Sequence, residues 1–88
     1  MSNIYKKIII NYINKTLSPN IIKEYASNNN FNISDSESII LYNFIKNNYL
    51  DIINGNENKV LELKNMLRYD LYEEIIKLYK QYKSRYFK

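Results

Sequence analysis

A chain of 88 residues with 45% apolar and 25% charged side chains is expected to form one small helical domain, residues 1–88, with a modest core. It has no cysteine and no histidine, which excludes disulfides, thiolate chemistry, imidazole base catalysis and zinc sites of the Cys/His type. The net charge of +4 is unevenly spread: five acids stand against Lys46 and Lys59 in residues 34–63, while residues 77–88 carry five positive charges alone, so any basic surface comes from the chain's ends.

The first helix is predicted from about Asn3 to Lys15. Its opening, MSNIYKKIIINYINK, holds only three consecutive apolar residues before Asn11. That is too short and too polar for a signal peptide or a membrane span, so a cytoplasmic protein with no membrane partner is expected. Ile4, Tyr5, Ile8, Ile9 and Tyr12 form a wide stripe, and Ile10 and Ile13 extend it round the back. A helix apolar nearly all round touches neighbours on more than one side, or a partner chain. Ile9, Ile10 and Ile13 are therefore the candidate interface, with a protein partner or a second copy as occupant.

The second helix opens at Ser18, a good N-cap, with Pro19 at the first helical position, where a missing N–H costs nothing. Ile21, Ile22, Tyr25 and Ala26 give its buried face, and Ser27-Asn28-Asn29-Asn30 stops it. The third starts at Ser34, where SDSE has the form of a capping box. Its Ile39 to Ile45 run covers most of the circumference, which marks the central helix. A fourth helix starts near Asn56, after a turn at Gly55, and a fifth at Asp70, where DLYE reads as a second capping box. The fold class is thus all-α, a compact bundle of about five short helices. Two stretches alternate instead, residues 31–33 and 49–53. They are either a tiny two-stranded bridge or ordinary extended loops.

The last helix holds YEEIIKLYKQYKSRYFK, with five positive charges, four aromatics and no acid past Glu74. On a wheel at about 100° per residue, Leu71, Ile75, Leu78, Tyr79, Tyr82 and Tyr86 share one side, with Lys77, Lys80, Gln81, Ser84 and Lys88 opposite. The tyrosines therefore point inward and do not interleave with the lysines as a stacking platform would require. Glu73 and Glu74 stand at helical spacing from Lys77 and can offset it. The candidate basic surface is Lys77, Lys80, Lys83, Arg85 and Lys88, with Lys6 and Lys7 from the other end. Such a surface is either solvated or in contact with phosphates.

Fifteen Asn, fifteen Ile, eleven Lys and ten Tyr are the products of A/T-rich codons, so an AT-rich genome accounts for most of the bias. A helix-turn-helix is disfavoured. The connection NNNFNIS is longer than that motif uses, and Asp35 and Glu37 would face phosphates. DIINGNENKVLE misses the calcium-loop register from Asp51 and from Asn54 alike. Most carboxylates read as caps or surface partners, and no glycine-rich phosphate loop exists. No enzyme, metal or cofactor is expected.

Ile13-Asn14, Thr16, Ile21-Ile22, Tyr25-Ala26 and Asn32-Ile33-Ser34 stand in an order that resembles a small helical family of unknown function from low-GC Gram-positive bacteria such as bacilli. The resemblance covers about residues 13–82. It implies a small all-helical fold, with no assigned activity and no functional residue to carry over. Two function classes follow from the residues. The first is a non-enzymatic protein-binding module: an accessory or regulatory protein, or a mobile-element-encoded inhibitor of a host defence complex. The alternative is sequence-independent nucleic-acid binding through the basic C-terminal helix.

Overall fold

The computed structural model describes residues 3–86, which form five α-helices and one 3₁₀ turn, with no strand among them. Helix α1 spans Asn3–Lys15, α2 Pro19–Asn28, α3 Asp35–Ile53, α4 Glu57–Leu61 and α5 Tyr69–Tyr86, and the 3₁₀ turn Glu62–Asn65 follows α4 directly. The all-helical bundle is as expected. The two-stranded bridge is not formed. Residues 31–33 are an extended connection, and 49–53 are the last turn and a half of α3.

Local chemistry sets most helix ends. Ser18 takes an extended conformation and its Oγ accepts from the Ile21 N–H at 3.2 Å, with Pro19 inside the first turn. At the other end of α2, Asn30 adopts a left-handed φ of 62°. This lets the Asn30 N–H reach the Ser27 carbonyl at 3.0 Å and the Phe31 N–H reach Ala26 at 2.9 Å. That crossed pair is the Schellman arrangement, which satisfies carbonyls a helix end would leave open. Gly55, at φ 84°, closes α3 in the same way, with Gly55 N–H on Ile52 and Asn56 N–H on Asp51. Asn56 then caps α4 by accepting from the Lys59 N–H at 3.3 Å.

Both halves of the Ser34 capping box are present: the Glu37 N–H donates to Ser34 Oγ at 3.1 Å and the Ser34 N–H to Glu37 Oε1 at 2.8 Å. Helix α3 then runs through to Ile53 with a bend at Asn48, whose φ is −133° and whose side-chain amide donates to the Phe44 carbonyl at 2.9 Å. An amide inserted into the backbone ladder is a recognised cause of a kink. The second predicted capping box is absent as drawn. The Tyr72 N–H bonds the Arg68 carbonyl, so α5 begins one residue early and Asp70 lies within its first turn. There Asp70 pairs with Arg68 Nε at 3.1 Å.

Leu41 and Phe44 of α3, Val60 and Leu63 of the short α4–3₁₀ segment, and Leu67, Leu71 and Tyr79 around α5 make the core cluster. Helix α3 is the hub on which α1, α2 and α4 pack. Ser38 is buried within it because its Oγ donates to the Asp35 carbonyl at 2.7 Å. The radius of gyration is 12.6 Å, close to the ~12 Å expected of a compact chain this long. Among the described residues no helix is long and apolar enough to cross a membrane.

Candidate functional site

The two regions singled out by sequence are resolved differently. On α1 the structure turns Ile13 inward, at 6% exposure, with Ile9 and Ile10 half-buried beside it. That trio lines the inner side of the helix. The outer side shows Ile4 at 70%, Ile8 at 60% and Tyr12 at 43% exposure, with Tyr5 also exposed. Ile4, Ile8 and Tyr12 are spaced i, i+4, i+8 and make a ridge about 12 Å long. Lys7, Asn11 and Lys15, all exposed, form the next row, about 60° round the helix. Lys6 lies toward the inner side and is half-buried.

On α5 the inward set is as the wheel implied: Leu71 and Tyr79 are buried and Ile75, Leu78 and Tyr82 half-buried. The tyrosine hydroxyls find backbone partners on α3. Tyr79 Oη donates to the Ile52 carbonyl, and Tyr82 Oη to Ile53 at 3.0 Å. Their rings lie near-parallel with centroids 5.7 Å apart. Burial, and after it the neighbouring Tyr82 and Glu57, pushes Tyr79 up to about 12. The Tyr86 side chain and Lys88 lie outside the described residues.

The basic residues of α5 do not share one face. Lys77 and Lys80 are exposed on an outward strip with Glu73, Gln81 and Ser84. Lys83 is half-buried on one flank and Arg85 exposed on the other, about 160° apart at helical pitch. Lys77 makes no ion pair with Glu73 or Glu74. The ion pairs of the described residues are Lys23–Asp35, Lys59–Glu62, Arg68–Glu37 and Arg68–Asp70. Glu73 instead accepts from the Tyr69 hydroxyl, which raises the Tyr69 pKa, and Glu74 borders an apolar cleft.

That cleft was not foreseen. It has a volume of about 420 Å³ and runs between α1 and α2 on one side and α5 on the other. Tyr12, Ile21 and Tyr25 form one bank, Ile75 and Leu78 the other, with Leu41 and Ile45 of α3 between them. A second hollow of about 290 Å³ shares Tyr25, Leu41, Ile45, Ile75 and Leu78. The seam between α3 and α5 is thus loosely filled along its length, whereas a finished core has few voids larger than a water molecule. Helix α2 packs on α3 but not on α5, and none of its residues is fully buried. Tyr25, 58% exposed, stands at the mouth. Tyr12 belongs both to the α1 ridge and to the cleft wall, so the two make one continuous apolar surface.

Arg68 is the other side chain that spacing did not single out. Its guanidinium donates to the Asn32 carbonyl, pairs with Glu37 at 3.4 Å and Asp70 at 3.1 Å, and lies 5.3 Å from the Phe31 ring centre. It ties the α2–α3 connection and the start of α3 to the start of α5, which holds one end of the cleft. Lys23 makes a similar tie from α2 to the start of α3, and its hydrogen bond and charge hold Asp35 below the usual carboxylate range. Comparison of the chain with family models, curated proteins and solved structures finds no match.

Proposed function

We propose that this protein is a non-enzymatic protein-binding module, working as an accessory or regulatory protein or as a mobile-element-encoded inhibitor. One observation carries the reading: the exposed Ile4–Ile8–Tyr12 ridge runs without a break into an unfilled apolar cleft of about 420 Å³. A large joined apolar surface on a small helical fold is the mark of an interaction site. Its construction suits a protein ligand: a rigid helical ridge for area, and a concave hollow beside it for anchoring side chains.

The test is covalent capture in extract of the encoding organism, with a photoreactive side chain at Asn11, beside the ridge. The expected result is one or a few protein adducts that vanish with Ile8→Asp. Adducts unchanged by Ile8→Asp, or none at all, overturn the reading.

Nucleic-acid binding is the second reading, favoured by Lys77 and Lys80, exposed on one strip without an ion pair. It stands second because Glu73 shares that strip and Lys83 and Arg85 diverge from it. Anisotropy with labelled single- and double-stranded oligonucleotides at low and physiological salt separates the two. Phosphate binding shows as a loss of affinity with salt, with a log–log slope of about −1 to −2 for two lysines.

A further inference from the structure

Resting on the protein-binding reading, we infer that the occupant of the α1 ridge is an acidic amphipathic helix, one with a row of carboxylates along the edge of its apolar stripe. The argument is charge complementarity. Helix α1 contains Lys6, Lys7 and Lys15 and no acid. Lys7 and Lys15 lie in the row next to Ile4, Ile8 and Tyr12, and all five are exposed. The cleft meets the ridge at its C-terminal end, through Tyr12, and the lysines stand along one edge of the ridge only. The docking face is therefore asymmetric. It takes apolar anchors at helical spacing along the ridge, an apolar side chain in the cleft, and negative charge along one edge only. Glu74, which borders the cleft on its α5 bank, disfavours an acid at the cleft end and sets the orientation.

The α1 ridge of a second copy does not fit this face. It would bring three lysines and no carboxylate against the same set, between molecules that each carry +4. A basic helix is disfavoured by the same charges. The area also suits a helix better than a broad globular face. The ridge is about two turns long, the span of i, i+3, i+4 and i+7 anchors on a partner helix.

The experiment uses the full chain and two labelled designed helical peptides with one leucine stripe, edged by glutamates in one and by lysines in the other. Anisotropy titrations are run at low and physiological salt. The acidic peptide is expected to bind at least about tenfold tighter than its basic twin, and salt should narrow that gap. Ile8→Asp should weaken it by about tenfold or more, and the pair Lys7→Glu and Lys15→Glu should reverse the preference. Ile8→Ser serves in place of Ile8→Asp if the latter shows an altered circular dichroism melt. Equal or better binding by the basic twin overturns the inference. So does an Ile8-dependent dimer in sedimentation, and so does binding to phosphatidylglycerol vesicles with none to the acidic peptide. If neither peptide binds while Ile8-dependent capture persists, the acidic-helix inference falls and the protein-binding reading stands. If capture fails as well, both fall.

Discussion

Tyr79 shows how a polar tip is accommodated in a small core. Its ring joins the buried cluster and its hydroxyl donates to the Ile52 carbonyl, so burial costs no lost hydrogen bond. The ionised form has no such arrangement, and the phenol is pushed from 10.0 up to about 12. Between those values the unfolded chain has lost the proton and the folded chain keeps it. The contribution is therefore full below about pH 10 and is lost as pH rises through about 12, on the order of 2 kcal/mol in all. Urea unfolding at stepped alkaline pH should show this fall in the parent and a shallower one in Tyr79→Phe. Asp35 acts in the opposite sense. Lys23 lowers its pKa, so the α2–α3 tie is present at neutral pH and is lost as pH falls through the folded value. Arg68 holds three segments through a planar fork that also lies over Phe31. Arg68→Lys should recover little of what Arg68→Ala loses, about 1–2 kcal/mol by chemical denaturation, because an ammonium cannot serve all four contacts.

The elements divide by how local their causes are. Ser18, Ser34, Gly55 and Asn56 act within five residues of themselves, and each does what its sequence context implied. Gly55→Ala puts a Cβ at a φ of 84° and should cost about 1 kcal/mol. Ser34→Ala should cost a similar ~1 kcal/mol by losing one half of the capping box. Both losses appear in denaturant midpoints with unchanged slope. Residues 49–53 went the other way. Their alternation was compatible with a short strand, but the chain is helical again after the bend at Asn48, and Tyr79 and Tyr82 of α5 bond the carbonyls of its last turn. At α5, Asp70 was legible as a helix-start residue but not as a partner of Arg68. The pairing at one end of Arg68 depends on Glu37 and Asn32, more than thirty residues away in the chain.

At the scale of the molecule, core and ridge are distinguishable by what their substitutions do. Leu63, 2% exposed, sits in the centre of the cluster. Leu63→Ala should cost about 3 kcal/mol and lower the melting temperature by about 15 °C. Ile8→Asp, on the exposed ridge, should move it by no more than about 2 °C. A thermal melt of the two variants checks that contrast, and a large loss in Ile8→Asp would mean the ridge is packed in solution. The sequence by itself determined the all-helical class, nearly every helix start, and the inward side of α5. Those follow from capping chemistry and from a stripe narrow enough to have one inward solution. Only the tertiary structure decided which side of α1 is outside, because a helix apolar nearly all round offers several equivalent faces until α3 takes one. It also decided the cleft, which exists because α5 stands off from the α2–α3 pair, and the splitting of the basic residues over three sides of α5. Such features are set by distances between helices, and a helical wheel contains no information on those.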